Sequence, residues 1–189
     1  LSLEAEKTQS VNTVYLKNDK IIGHNTDIDG FELAIKDANY DVEGKKVLIL
    51  GAGGVVPSII FALYKMRVLS VTISNRTKTK AENLKSLFND LKIIDWGEAS
   101  SFDMIINATS IGLKKEDKLN LDFSKFQNCE FFYDVIYNPK ETNFLRDGKS
   151  LGKKTENGKK MFIYQAAKAF KVWHGIEPKV NEQVIGLVD

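Results

Sequence analysis

The chain has one cysteine, two histidines and three prolines in 189 residues, and each scarcity closes a class of function. A lone Cys129 supports neither an intrachain disulfide framework nor a multi-cysteine metal site. His24 and His174 are too few for a histidine-rich metal centre, so no metal is expected. No apolar run approaches the ~20 residues of a membrane-spanning helix, and the first residues carry no leader pattern. A cytoplasmic protein without a membrane partner is the expectation. Charge of one sign is also missing: 27 Lys and Arg against 25 Asp and Glu leave a formal net charge of +2. No basic block is long enough to point to nucleic acid. The lysines at 149, 153, 154, 159 and 160 read as a solvated loop. The chain opens on Leu1 rather than Met, which suggests a piece of a longer protein.

What is present is a soluble globular composition, 43% hydrophobic and 28% charged, in a chain long enough for one good core and a smaller appendage. Its centre is residues 47–58, VLILGAGGVVPS. Four apolar residues without alternation read as a strand buried on both faces. Gly51, Gly53 and Gly54 follow, then an apolar helical stretch at 59–66 with Pro57 in its first turn. Strand, glycine turn and helix in this order is the context of a dinucleotide site, where backbone N–H groups and the positive helix end meet a pyrophosphate. The third position of the G-x-G-x-x-G pattern holds Val56 instead of a small residue. An ordinary tight turn of an α/β unit is the competing reading.

Around this centre the chain falls into units. Residues 11–16 and 20–24 flank Asn18-Asp19 and read as a hairpin that needs further strands. A helix is expected over about 27–38, capped by Thr26 or Asp27. Strands at 68–73, 91–94, 102–109 and 130–137 alternate with helices at about 55–66 and 77–88 and a short turn at 121–126. This repetition predicts a doubly wound parallel sheet with right-handed crossovers. One or two helical turns at 143–147, at most one edge strand in 148–160, and helices at 161–172 and 179–188 complete the reading.

Candidate functional residues lie at the ends of these strands. Residues 74–78, SNRTK, hold no carboxylate where an NAD site places one for the ribose 2′-OH. Arg76, with Asn75 and Thr77, suits a 2′-phosphate instead, so NADP is the expected cofactor. Asn107, Ala108 and Thr109 close the fourth strand, beside the same cleft. Asp27 either caps its helix or binds a hydroxylated substrate and organises a proton relay. Asn12, Asn25, Tyr137 and Gln165 sit in or beside apolar stretches, where an unpaired polar group is costly. They are either satisfied internally or form a ring for a polyhydroxylated ligand. Neither histidine makes a good catalytic base.

In order, VNT (11–13), GHNTDIDGF (23–31), GAGG (51–54), NRT (75–77), NATSIGL (107–113), DVIYNP with Thr142, and GKKMFIYQAAKAFKVWHG (158–175) resemble the shikimate dehydrogenase family. The resemblance implies NADP-dependent interconversion of 3-dehydroshikimate and shikimate, in aromatic amino-acid and chorismate biosynthesis. It implies a Rossmann-like cofactor domain at 39–158, a hairpin and hinge helix at 1–38 left from a mostly missing α/β substrate domain, and returning helices at 159–189. Asn12, Asp27 and Gln165 fall on substrate positions, and Tyr137 beside substrate and nicotinamide. Asp27 is the acid of the family's catalytic Lys–Asp pair, whose lysine matches none present here. Gly51, Ala52, Gly53 and Gly54 hold the pyrophosphate, Asn75 to Thr77 the 2′-phosphate, and Asn107, Ala108, Thr109 and Leu113 the nicotinamide side. Val56 and Leu113 depart from the family pattern, with branched Val56 expected to push the helix away from the pyrophosphate. A monomer or homodimer acting on a small molecule follows. A quinate-preferring paralogue, a methylene-tetrahydrofolate-type enzyme and a non-catalytic NADP-binding module are the alternatives. Arg76→Ala is expected to weaken NADP(H) binding strongly and NAD(H) little in parallel titrations; equal losses would remove Arg76 from the 2′-phosphate.

Overall fold

The computed structural model describes residues 1–98, 100–126 and 128–188; Asp189, the end of the expected C-terminal segment, lies outside them. Six parallel strands make the central sheet: β3 (Lys46–Leu50), β4 (Ser70–Ser74), β5 (Lys92–Ile94), β6 (Met104–Asn107), β7 (Phe131–Asp134) and β8 (Lys154–Glu156). Their spatial order, β5-β4-β3-β6-β7-β8, reverses direction between β3 and β6. The chain therefore winds one way from β3 to β5, then returns past its start. That reversal defines a doubly wound Rossmann-like sheet and leaves a crevice at the carboxyl ends of β3 and β6.

Alternate residues of each strand feed two cores. Val47, Ile49, Val71, Ile73, Met104, Ile106, Phe131 and Tyr133 join one cluster with α2 (Asp27–Asp37), α3 (Val56–Lys65) and α4 (Lys78–Leu87). Leu48, Leu50, Ile105 and Phe132 face the other way, onto Phe123, Phe126 and the helix α5 (Asn143–Ser150). A sheet covered on both faces explains strands that are apolar without alternation.

Several elements differ in extent from the expectation. The strand expected over 130–137 ends at Asp134, and that over 102–109 ends at Asn107. Both stop where a buried polar side chain begins to hydrogen-bond its own loop. The lysine-rich tail is more regular than its composition suggests. Thr142 caps an eight-residue α5, and β8 adds an edge strand beside β7. The long helix α6 (Lys159–His174) starts two residues early, and the last helix shrinks to Glu182–Gly186.

The hairpin forms as expected. β1 (Thr13–Lys17) and β2 (Lys20–His24) pair antiparallel around Asn18 and Asp19, both at positive φ as a two-residue hairpin turn requires. It is a separate two-stranded sheet. Val14, Leu16 and Ile21 on it are exposed. Its ties to the helices include a bond from the Trp173 indole N–H to the Val14 carbonyl at 2.9 Å and one from Ser2 N to Gly23 O at 2.8 Å.

α2 carries the chain from the hairpin into the main core. Ile28, Phe31, Ala34 and Ile35 bury against the sheet, with Phe31 edge-on to Tyr133 at 5.3 Å. It also presses against α6. A Cβ on Gly30 would stand 2.8 Å from both Gln165 Cβ and Met161 O, so only glycine permits this approach. Gly30→Ala must part the two helices and is expected to cost about 1–3 kcal/mol of stability, the usual penalty of overpacking. Denaturant unfolding measures it, and an unchanged midpoint would show that the crossing does not need the glycine.

Candidate active site

The sheet register lines up four strand ends. Ser74 pairs with Leu50, Leu50 with Asn107, and Asn107 with Asp134. The loops that leave this row form the crevice wall.

The glycine turn follows Leu50. Gly51 has φ +109°, and a Cβ there would lie 2.7 Å from the Ala108 carbonyl, so both conformation and space exclude a side chain. Gly53 and Gly54 are exposed, and a Cβ on Gly54 meets nothing within 4 Å. Val56, the first residue of α3, is fully buried in the core. Neither α3 nor α4 carries an acidic residue in its first turn, so both helix starts stay favourable to an anion.

After β4, Asn75 bends the chain by donating its amide to the Thr77 carbonyl at 2.7 Å. Arg76 and Thr77 are exposed, with Lys78 and Lys80 following. Among the described residues no carboxylate lies within ion-pair distance of Arg76. The cradle left open at Gly53 and Gly54, together with an unpaired guanidinium beyond β4, fits a dinucleotide carrying an extra phosphate.

Asn107 is placed differently from the expectation. It is fully buried, and all four of its hydrogen-bonding positions are taken. Its amide N–H groups reach Ile111 O and Asp134 Oδ1, each at 3.1 Å. Its oxygen accepts from Thr109 N at 3.1 Å and Thr109 Oγ1 at 2.7 Å. Asn107 thus shapes the loop and has no hydrogen bond left for a ligand. Thr109 is half-buried and Leu113 exposed, so the loop presents those two outward.

A second cluster forms where β1, α2 and α6 meet. Asn12 donates to Asp27 Oδ1 at 2.9 Å, and its own oxygen accepts from Thr26 N at 2.9 Å. Thr26 Oγ1 lies 3.5 Å from Gln165 Oε1, on a helix 139 residues further along the chain. Asn12, Asp27 and Gln165 are thereby brought together. Helix capping, the plain account of both Thr26 and Asp27, does not hold. Thr26 makes no side-chain cap bond, and Asn25 takes the role by accepting from Asp27 N at 3.0 Å. The Asp27 carboxylate is therefore free of the helix end. Burial raises its pKa above the usual carboxylate value, against the opposing Asn12 hydrogen bond. Tyr137 stands over Phe162 of α6, the rings stacked at 4.7 Å, one turn from Gln165, whose amide donates to Phe162 O at 2.9 Å.

Two residues were given no role from sequence. Ser58 is buried and accepts from Asn25 at 2.9 Å, steadying the cap. Asp134 is also fully buried, and accepts from Asn107, from Ile136 N at 3.0 Å and from Thr142 Oγ1 at 2.6 Å. A carboxylate closing the apolar run FFYD was the available signal, because such a charge must find donors.

A doubly wound sheet with a glycine turn at its reversal point is a dinucleotide-binding architecture. Comparison with known proteins narrows it. The family model of shikimate / quinate 5-dehydrogenase matches residues 32–121. The NADP-type shikimate dehydrogenase of Pelagibacter ubique is 57% identical over the whole chain, which spans 71% of that relative. The corresponding Caldicellulosiruptor saccharolyticus protein is 42% identical, over 89% of this chain and 63% of its own length. The shikimate 5-dehydrogenase of Thermus thermophilus, solved with NADP(H) and shikimate, superposes with a TM-score of 0.86 at 32% identity, covering 99% of this chain and 70% of that one. The chain belongs to the shikimate/quinate dehydrogenase family. It spans about two thirds of the length of these relatives.

Desolvation pushes the Asp134 carboxyl up to about 6, against three hydrogen bonds that favour the anion. Between about pH 4 and 6 the folded chain keeps a proton that the unfolded chain releases. The contribution of Asp134 to stability is therefore fullest below pH 4 and declines as pH rises through 6. Unfolding of the native protein and of Asp134→Asn across this range should give a stability difference that varies with pH and levels off above about 7. A pH-independent difference would place the carboxyl pKa at its ordinary value.

Proposed function

We propose that the intact protein is an NADP-dependent shikimate dehydrogenase, reversibly reducing 3-dehydroshikimate to shikimate. The observation that carries this reading is the meeting of Asn12, Asp27 and Gln165 from three distant segments, in a chain of this family. Two amides and a carboxylate suit a ligand rich in hydroxyls and offer no cation that would select a phosphate.

Gly51 to Gly54 and the start of α3 would hold the pyrophosphate, and Arg76, with Asn75 and Thr77, the 2′-phosphate. Asp134 and Asn107 keep the Thr109–Leu113 wall in place on the nicotinamide side. When bound, NADP(H) supplies the hydride and takes it back. Asp27 has one oxygen engaged by Asn12, while Oδ2 has no partner among the described residues. That oxygen is available to a substrate hydroxyl. The raised pKa brings the carboxyl closer to the range in which it exchanges a proton at neutral pH. Asn12 and Gln165 orient the ring hydroxyls, and Tyr137 borders the substrate.

The lysine that the family resemblance pairs with Asp27 matches none of the lysines here. Residues 1–189 alone are accordingly expected to bind NADP(H) with negligible turnover. The deciding experiment is NADP⁺ reduction by the intact protein with shikimate and with quinate, repeated for Asp27→Asn. Turnover of shikimate that drops about 10²–10⁴-fold in the variant, the range of a lost general acid–base, supports the reading. Preference for quinate would move the substrate within the family. NADP binding without turnover of either would leave a cofactor-binding module.

A further inference from the structure

We propose that Asp134 is a positioning residue that joins the loop bearing Thr109 and Leu113 to the loop bearing Tyr137, so that the two walls of the reaction cleft hold one fixed relation. The inference rests on the proposed dehydrogenase reading.

Each wall is tied to the same carboxylate. Oδ1 accepts from Asn107, the first residue of one loop, at 3.1 Å, and from Ile136 N, in the other, at 3.0 Å. Oδ2 accepts from Thr142 Oγ1 at 2.6 Å. Thr142 in turn accepts from Leu145 N at 3.3 Å, which sets where α5 begins. Asn107 passes the constraint on through its bonds to Thr109 and Ile111. The far end of the first loop is fixed from α5. Asn143 donates to Lys115 O at 3.0 Å and Asp117 O at 2.8 Å, while Asp117 Oδ2 accepts from Gly112 N at 3.2 Å. The two loops also touch: a Cβ on Gly112 would lie 3.1 Å from both Ile136 Cδ1 and Thr142 Cγ2.

Chemistry explains why the hub is a carboxylate. Three donors converge on two oxygens, and an amide can satisfy only those facing its oxygen. If Asn replaced Asp134 with its NH₂ toward Thr142, the Thr142 hydroxyl would lose its acceptor. If the amide were flipped, NH₂ would oppose two N–H groups. Burying the charge is costly, so stability alone does not favour an acid here. Positioning does, because misplacement by about 1 Å can cost about 10²-fold in rate. The grips on pyrophosphate and 2′-phosphate, at residues 51–54 and 75–77, lie outside this network.

The test compares the intact protein with Asp134→Asn, Thr142→Val and Thr142→Ser. Expected are a fall in kcat for shikimate of about 10- to 100-fold in D134N, and a smaller fall in T142V. T142S keeps its hydroxyl and restores the rate. The Kd for NADP⁺ should change by less than about three-fold, because its main charge contacts are elsewhere. Amide hydrogen exchange should quicken together at Thr109, Ile111, Gly112 and Ile136. Unchanged kcat in D134N and T142V overturns the proposal, as does a parallel loss of kcat and cofactor affinity, or exchange that quickens in one loop only. Should D134N fail to fold, the contrast between T142V and T142S decides by the same criteria. A native protein that binds NADP⁺ but leaves shikimate unchanged refutes the dehydrogenase reading; the exchange data then decide the loop coupling on their own.

Discussion

The constraint on which the site depends is the contact of two backbones at the point where the sheet reverses. Gly51 leaves β3 beside Ala108 leaving β6, with no room for a Cβ between them. Leu50 O accepts from Ala108 N at 2.8 Å, and Ser74 O accepts from Gly51 N at 2.9 Å. These bonds carry the sheet's register one residue past its strands. The glycine turn, the loop of Asn75 to Thr77 and the Asn107 loop consequently start from one row, and their spacing follows from strand spacing. A side chain at 51 would separate β3 from β6 at their ends and disperse that row.

A second close approach, Gly30 on α6, fixes the other half of the site. α2 and α6 bury their apolar faces in the sheet's first core while their nearby ends bring Thr26 and Asp27 toward Gln165. The polar cluster thus sits at the edge of a rigid hydrophobic layer, not on a mobile loop. Burial raises the affinity of Asp27 for protons, and Asn12 holds the carboxylate in orientation. Exposed ion pairs such as Arg67 with Glu43 add little of comparable consequence.

Much of the fold was legible because each strand and helix has a local period. The uninterrupted run at 47–50, the stripe of Phe31, Ala34 and Ile35, and the Asn-Asp hairpin each follow from nearest-neighbour sterics and alternation. The tail was harder. α5 and β8 offer little apolar signal because part of each faces solvent, and the buried residues of α5 are only Phe144, Leu145 and Gly148. A Cβ on Gly148 would lie 2.8 Å from the Phe132 ring, and composition alone gives no indication of that packing. Val56 stands at the position that the motif gives to a small residue for close helix–strand packing, and it is fully buried in the core there.

By itself the sequence determined the class of fold and the place of the glycine turn, and it led to the expectation of NADP, because those depend on short runs of residue types whose backbone or charge is decisive. Glycine is needed where φ is positive, and the absence of a carboxylate after β4 needs no third dimension to be read. Only the tertiary structure decided which polar residues keep a hydrogen-bonding atom to offer. Asn107 and Asp27 look alike as polar residues beside apolar runs. Burial left the first with every hydrogen bond spent inside the protein, and the second with a carboxylate oxygen to offer. Asp27 meets Asn12 across 15 residues, and Thr26 beside it meets Gln165 across 139, and no local pattern encodes those partners.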